Sequence, residues 1–212
     1  MDRIYANRTQ AGRLLGTAVL KRLGQEPALV LGLPRGGVPV AAGVARALGC
    51  DLDVLVVRKV GVPGQPELAM GAVGPGGVTV RNAEVLGMLP DAARRFEAVA
   101  VRERAEVERR ERAYRGERAP LAVAGRTVVL VDDGVATGAT LRAAIKAARA
   151  LGSSRVVVAV PVAAPDAVRR LAAEADEVIC LDQPAYLAAV GQSYEDFSQV
   201  TDAEVRDFLA AP

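Results

Sequence analysis

The sequence predicts an α/β fold, a mostly parallel sheet of about five strands with helices on both faces, followed by a small C-terminal segment. Short, continuous apolar runs alternate with longer segments whose apolar residues recur at helical spacing, which is the pattern of βαβ units. The short runs are apolar at every position, as in strands that are covered on both faces. With 212 residues and 51% hydrophobic content, the chain is long enough to bury a core of this kind.

The regular part of the chain consists of five predicted strands and the helices between them. We predict strands at 28–33, 53–58, 127–132, 155–160 and 177–181, and helices at 9–23, 38–48, 138–150 and 166–175. Gly49 follows the second helix and is expected to end it, because glycine readily adopts the left-handed conformation of a helix C-terminus. Strands that alternate with helices in this way favour a parallel sheet.

Two segments interrupt the alternation. Residues 60–80 are rich in Gly and Pro, so we expect a long, flexible loop or a loose hairpin there, and loops of that length are often functional. Residues 91–118 contain nine Arg and seven acidic residues and predict a charged helix with Glu–Arg pairs at i,i+4. We interpret this helix as a solvated face or a subunit contact, which would suit a homodimer. Both segments belong to a core domain of residues 1–181.

Residues 182–212 form the predicted C-terminal segment, which we call the hood. This segment contains four of the seven aromatic residues, and Thr201 to Glu204 form a capping box that should open a final helix. Aromatic rings can stack on a nucleobase. We therefore consider Tyr186, Tyr194 and Phe197, with Gln183 and Gln192, as contacts for a nitrogenous base; the alternative is a small satellite core.

Composition excludes several classes of function. The chain has no histidine, so Ser-His-Asp triads and His-based metal sites cannot form. A net charge of +2 gives no strong field for nucleic acid or membrane surfaces. Two cysteines, Cys50 and Cys180, suit buried thiols rather than a disulfide framework. No apolar run reaches the roughly 18 residues that span a bilayer and the start resembles no signal peptide, so we expect a cytoplasmic protein.

The strongest functional feature is the run VVLVDDGVATGAT from Val128 to Thr140. Two carboxylates, Asp132 and Asp133, follow a buried strand at its C-terminal end, where open α/β sheets bind ligands. A loop of small and hydroxyl residues then leads into a helix, and such a loop offers backbone N–H groups and a helix dipole to a phosphate. Carboxylates suit the hydroxyls of a sugar or a divalent cation. The run therefore predicts a site for a phosphorylated sugar.

This run resembles the 5-phosphoribosyl-1-pyrophosphate (PRPP) binding motif of type I phosphoribosyltransferases. The resemblance implies that Asp132 and Asp133 hold the ribose hydroxyls and help to place Mg²⁺. It also implies that the following loop wraps the 5′-phosphate with Gly134, Val135, Ala136, Thr137, Gly138, Ala139 and Thr140. Members of the family that act on 6-oxopurines carry an acidic general base where this chain has Ala136, so the acceptor stays open.

Two more segments fit the same resemblance. The turn LGLPRGG at 31–37 resembles the family's pyrophosphate loop, in which Arg35 would bind pyrophosphate and Gly36 would allow close approach of the backbone; a simple packing turn is the alternative. Lys59, one of only three lysines, is expected at the end of the second strand, where the family has a basic residue that contacts pyrophosphate. Glu67, the only acid of the 60–80 loop, is a further candidate.

The leading hypothesis is a Mg²⁺-dependent phosphoribosyltransferase that transfers the phosphoribosyl group of PRPP to a small nitrogenous base, with Arg35 and Lys59 as catalytic residues. A PRPP-binding regulator without catalysis is the second hypothesis, since no general base is evident. A dinucleotide-binding fold that uses Gly32 to Gly37 is a third, but it leaves the Asp132–Thr140 run unexplained. No nucleic-acid or membrane partner is expected.

Overall fold

The computed structural model describes residues 4–120 and 122–210, without the side chains of Pro66 and Glu67. The candidate role of Glu67 therefore lies outside the described side chains. The elements are α1 (Arg8–Leu23), β1 (Ala28–Gly32), α2 (Gly37–Leu48), β2 (Asp51–Val54), β3 (Arg58–Val62), β4 (Gln65–Val73), β5 (Thr79–Arg81), α3 (Ala83–Gly87), α4 (Ala92–Arg115), β6 (Thr127–Val131), α5 (Ala139–Ala150), β7 (Arg155–Val162), α6 (Pro165–Ala172), β8 (Glu177–Asp182) and α7 (Asp202–Ala210).

The predicted parallel sheet is confirmed, with the strand order β2-β1-β6-β7-β8. Every neighbouring pair of its strands is parallel. In the central pair, Leu31 lies beside Leu130 and Gly32 beside Val131. The segments that follow β1 and β6 therefore leave the sheet side by side at its C-terminal edge, where ligands of open α/β sheets bind.

Successive side chains of the parallel strands point to opposite faces of the sheet, and helices cover both faces. Leu29, Leu31, Val128 and Leu130 pack with α5 and α6 on one face. The residues between them, such as Val129, pack with α1 and α2 on the other face. Because both faces are buried, the central strands β1, β6 and β7 are almost entirely apolar, which explains the continuous runs in the sequence.

Of the two alternatives predicted for residues 60–80, the structure has a hairpin, between β3 and β4, rather than a long flexible loop. The segment forms most of a second, antiparallel sheet in the order β3-β4-β5. Val60, Met70 and Val73 are buried in a cluster with Phe96 of α4, so apolar burial orders the segment. The Gly and Pro residues that suggested a loop are concentrated at its turns, as Gly64 and Gly76 are in the left-handed region at φ 84° and 61°.

The second predicted strand, 53–58, is also corrected. β2 ends at Val54, and Lys59 belongs to β3 of the antiparallel sheet rather than to the parallel one. The other predicted boundaries lie within three residues of the observed ones. The charged helix is α4, and its first turns pack against the antiparallel sheet through Phe96 and Ala100. Arg115 at its end forms an ion pair with Asp53 at 2.9 Å.

The hood packs back on the core through two contacts. Tyr194 lies in a small cluster with Tyr5 and Ala11, and α7 joins the cluster of α4 through Val205 and Leu209. The predicted capping box is present, because the N–H of Thr201 donates to Glu204 Oε2 at 2.7 Å and the N–H of Glu204 donates to Thr201 Oγ1 at 3.2 Å. Within the described residues, the helices are too short or too polar to cross a bilayer.

Candidate functional site

Two loops meet at the C-terminal edge of the parallel sheet. The turn at 33–36 follows β1 and the segment at 132–138 follows β6. Only glycines fit where they touch: a Cβ at Gly37 would lie 2.6 Å from the carbonyl oxygen of Val131, and a Cβ at Gly36 would lie 2.0 Å from Asp133 Oδ2. The Pro34–Arg35 peptide is cis. The family resemblance assigned both segments to one site, and the structure places them side by side.

Asp132 and Asp133 lie at the centre of this site, both half-buried. Asp132 Oδ1 accepts a hydrogen bond of 2.9 Å from the N–H of Asp133. Burial, and then the neighbouring charge of Asp133, raise the pKa of Asp132 well above its usual range. The site thus keeps one carboxyl in surroundings that disfavour its charged form, which is common where a ligand is to supply the missing partner.

Arg8 is a site residue that the sequence analysis missed. Its Nε donates to Asp133 Oδ2 at 2.7 Å and its Nη1 donates to the carbonyl oxygen of Ser198 at 2.8 Å. Its guanidinium carbon lies 3.8 Å from the centre of the Phe197 ring. Burial raises the pKa of Asp133 and Arg8 opposes that rise. No local pattern marks Arg8, because its partners are distant in the sequence.

The loop after Asp133 leads into α5 and presents small and hydroxyl residues. Backbone bonds fix its start, since the N–H of Val135 donates to the Val162 carbonyl and the N–H of Ala164 donates to the Val135 carbonyl, each at 2.9 Å. Gly138 takes φ 81° immediately before α5, a conformation that favours glycine. Thr137 and Thr140 are exposed. A hollow of about 120 Å³ lies along this loop, beside Asp132.

A larger cavity of about 750 Å³ opens beside both loops. Its lining includes Pro34 of the first loop, Thr137 and Thr140 of the second, and Lys59 of β3. Arg110 of α4 lines the same cavity; the sequence analysis interpreted that helix as a solvated face or a subunit contact. Although Lys59 is not at the end of a parallel strand, where we expected it, the antiparallel sheet places it at the wall of this cavity.

Two other charged residues that line the cavity, Arg58 and Glu103, form an ion pair with each other. Arg58 Nε lies 2.7 Å from Glu103 Oε2. Arg35, the other predicted catalytic residue, reaches toward the hood and lies 3.5 Å from Asp202 Oδ1 of α7. The side chains of Arg35 and Asp202 are each about a third or more exposed. A contact of this length between solvent-exposed charges contributes little free energy. Arg35 can therefore leave Asp202 and contact an anionic ligand at little cost.

The aromatic candidates of the hood differ in how deeply they are buried. Tyr194 is 6% exposed, its hydroxyl donates to the carbonyl oxygen of Asp133 at 2.5 Å, and its ring packs against Tyr5 and Phe197. This burial contradicts its prediction as a base contact: Tyr194 belongs to the satellite core. Phe197 is 37% exposed and Tyr186 is 81% exposed. None of these three described residues lines the 750 Å³ cavity.

The donor set for a divalent cation is small. Among the described residues, no three Cys, Asp or Glu side chains come together as a metal cluster. Asp132 and Asp133 supply adjacent oxygen donors of the type that Mg²⁺ prefers, and Arg8 already occupies one oxygen of Asp133. These residues fit a cation that takes its other ligands from substrate oxygens and water, as Mg²⁺ commonly does.

Sequence comparisons identify a family and relatives of this chain. The phosphoribosyl transferase domain signature matches residues 1–196. A Mycobacterium tuberculosis protein, provisionally named a phosphoribosyl transferase, is 50% identical over 208 residues, 98% of this chain. The match covers 46% of that protein, so the chain spans about half the length of the curated relatives it matches.

Solved structures match over almost the whole chain. A crystal structure of a Thermus thermophilus protein is 51% identical, with a TM-score of 0.90 and coverage of 97% of both chains. An Aquifex aeolicus protein, 14% identical with a TM-score of 0.51, covers 96% of this chain and 86% of its own. The second likeness concerns the fold alone.

Proposed function

The chain belongs to the phosphoribosyl transferase family, and from that premise we propose that it transfers the 5-phosphoribosyl group of PRPP to a nitrogenous base. In this reaction the bond between C1 of the ribose and the pyrophosphate oxygen breaks, and a bond from C1 to a nitrogen of the base forms. Pyrophosphate leaves with the electron pair of the broken bond, and the nitrogen gives up its proton to water or to the departing pyrophosphate.

One observation carries the proposal. A single cavity is lined by Pro34 of the first loop, by Thr137 and Thr140 of the second, and by Lys59. PRPP carries a phosphate at one end and a pyrophosphate at the other, so its site needs two separate anion-binding regions with sugar-binding groups between them. Asp132 lines a smaller hollow that shares Thr137 and Thr140 with this cavity, and this arrangement supports a site with sugar-binding carboxylates beside the two loops.

Each part of the site then has a proposed role. The 134–140 loop would bind the 5′-phosphate through backbone N–H groups at the start of α5, and Asp132 and Asp133 would accept hydrogen bonds from the ribose hydroxyls. Arg35 and Lys59 would face the pyrophosphate. Mg²⁺, when bound by the two carboxylates and the substrate, would neutralise part of the pyrophosphate charge.

Charge explains how these residues would accelerate the reaction. Negative charge grows on the pyrophosphate as the bond to C1 breaks, so cations placed there bind the transition state more strongly than PRPP. Removing one such donor commonly costs about 3–4 kcal/mol. Arg110 lines the cavity wall together with Arg58 and Lys59, and its ion pair with Glu106 at 2.6 Å holds its side chain in place.

The acceptor would enter from the side of the hood. Tyr186 and Phe197 have exposed ring surface, and they stay our proposed base contacts after the correction of Tyr194. Ala136 provides no acid or base to the acceptor. We therefore favour a base whose attacking nitrogen needs no strong general base in the protein.

The test is release of pyrophosphate from PRPP and Mg²⁺ across a panel of purines, pyrimidines and simple amines. We expect release with at least one acceptor, and its loss in the double variant Asp132→Asn/Asp133→Asn. Asp166→Asn, which changes an exposed carboxylate of α6, is the matched control and should retain activity. Full turnover by the double variant would contradict the proposal.

A regulator that binds PRPP without catalysis is the second candidate. The alanine at position 136 and the engagement of Asp133 by Arg8 at 2.7 Å favour it. This candidate predicts PRPP binding that the double variant abolishes, together with no acceptor-dependent release of pyrophosphate.

A further inference from the structure

We propose that the protein has a second anion-binding site, in the cavity between the antiparallel sheet and α5. This cavity measures about 90 Å³. Four cationic side chains line it, and its lining among the described residues includes no carboxylate: the cations are Lys59, Arg81, Arg142 and Lys146. The site goes beyond the proposed transferase activity, which uses the larger cavity of about 750 Å³ that Lys59 also lines.

The fold brings these cations together from three elements. Ala139, Arg142, Ala143 and Lys146 are spaced at i, i+3, i+4 and i+7 in α5, so they share one face of the helix. That face meets the antiparallel sheet at Arg81, the last residue of β5. A sequence with three lysines in all thus places two of them, Lys59 and Lys146, in one small cavity.

The surroundings neutralise only part of the charge of Arg81, Arg142 and Lys146. Arg142 Nε donates to Glu174 Oε1 at 2.5 Å, and Lys146 Nζ lies 3.9 Å from Glu174 Oε2, so one carboxylate serves two cations. The guanidinium carbon of Arg81 lies 4.7 Å from the centre of the Phe96 ring, a contact that leaves its charge in place. A cleft lined by one sign of charge concentrates the opposite sign, and the local balance therefore favours an anion.

The rest of the lining indicates the class of ligand. Ala69, Ala72 and Val80 give the wall an apolar part, and Asn82 adds an amide. A phosphate group would contact the cations, and a compact organic group would lie on the apolar wall. We therefore assign the cavity to a small phosphorylated metabolite, with Arg81 and Lys146 as its main phosphate contacts.

The two cavities are adjacent, because Lys59, Ala139 and Ala143 line both of them. An anion in one cavity repels an anion in the other. Binding in the second site should thus weaken binding of an anion in the first, and the weakening is reciprocal. The metabolite would therefore inhibit the binding of an anionic substrate in the larger cavity.

Isothermal titration with inorganic phosphate at low ionic strength tests the site without any assumption about PRPP. We expect the wild-type chain to bind two phosphates, one in the 134–140 loop and one in the second site. Arg81→Gln/Lys146→Gln should weaken one of the two by about tenfold or more. Thr137→Val/Thr140→Val should weaken the other.

Two further variants control for charge and for folding. Lys21→Gln/Arg102→Gln removes the same two charges from exposed positions and should bind as the wild type does. Arg81→Lys/Lys146→Arg keeps both charges and should restore the lost site. Two unchanged phosphate sites in Arg81→Gln/Lys146→Gln would overturn the proposal, as would a single wild-type site that responds only to the threonine changes. Failure of PRPP turnover, in contrast, would leave these outcomes unaffected.

Discussion

Arg8 and Asp133 lie 125 residues apart in the sequence, and their side chains meet at 2.7 Å. Arg8 opens α1 and Asp133 follows the buried strand of the candidate site, so this pair ties the start of the chain to the predicted sugar-binding carboxylates. The same guanidinium binds the hood through the carbonyl oxygen of Ser198 at 2.8 Å. One side chain thus joins the N-terminal helix, the site and the C-terminal segment.

This pair should dominate the stability of the site. Arg8 and Asp133 are 11% and 14% exposed, and breaking a buried pair from one side costs about 3–5 kcal/mol because it leaves a buried charge. We expect Arg8→Gln to destabilise the protein by an amount near the lower end of that range. Arg8→Gln/Asp133→Asn should lose less, since no charge is then stranded. Urea unfolding of both variants and Asp133→Asn measures this; additive losses would refute the coupling.

The contact between the two loops should depend on the missing side chain of Gly36. A Cβ there would lie 2.0 Å from Asp133 Oδ2, so Gly36→Ala must displace the carboxylate that Arg8 holds. We expect loss of ligand binding and a lower Tm. Gly87→Ala is the matched control, because a Cβ at Gly87 meets nothing within 4 Å. Calorimetric titration with PRPP compares the two; normal binding by Gly36→Ala would show that the contact is dispensable.

Asp132 should cost the protein stability at neutral pH. Burial, and then the charge of Asp133, raise its pKa in the folded state. The folded state therefore holds this proton more tightly than the unfolded state, and stability falls as the pH rises from the ordinary aspartate pKa through the raised one. Asp132→Asn removes that penalty while an amide oxygen can still accept from the N–H of Asp133. We expect a higher Tm at pH 7.

Melting curves from pH 4 to 8 check this prediction about Asp132. The advantage of Asp132→Asn should shrink toward acid pH, where the wild-type carboxyl is protonated, and each kcal/mol appears as roughly 2–4 °C in Tm. A variant that melts below the wild type at pH 7 would contradict the sign. Gain of stability with loss of ligand binding is the usual pattern when a site residue is replaced.

Lys59 should matter more for turnover than for affinity. The negative charge of the leaving pyrophosphate grows in the transition state, so Lys59→Ala should lower kcat by about 100-fold or more and change KM for PRPP much less. Lys21→Ala, an exposed lysine of α1, should behave as the wild type. Steady-state kinetics with the best acceptor decides this; equal losses in kcat and affinity would assign Lys59 to simple binding.

Local pattern was enough to predict the parallel sheet and the Asp132–Thr140 segment. The central strands β1, β6 and β7 are buried on both faces and are therefore almost continuously apolar. The acidic pair and the small-residue loop are contiguous in the chain. The antiparallel sheet was predicted only as a loose hairpin, one of two alternatives, for the opposite reason. Its glycines and prolines indicate a loop, and its order depends on Met70 and Val73 packing against Phe96, a contact between distant segments.

The residues that sequence reasoning missed at the site share a long sequence separation from their partners. Arg8 acquires its role from Asp133, and Arg110 faces the cavity because α4 lies against the antiparallel sheet. Tyr194 was misassigned because an aromatic residue in a variable segment looks the same whether it stacks on a ligand or on Tyr5. Its burial at 6% exposure distinguishes the two, and burial is not local information.

Thermal unfolding with saturating PRPP and Mg²⁺ tests the central claim, that the two loops form one PRPP site. A ligand at about 100 times its Kd adds ~2.7 kcal/mol to the stability of the folded state, which for a chain of this size means a rise in Tm of roughly 5–10 °C. We predict that rise for the wild type and its absence in Asp132→Asn/Asp133→Asn. A folded wild-type protein whose Tm does not respond, or an equal rise in the double variant, would contradict the account.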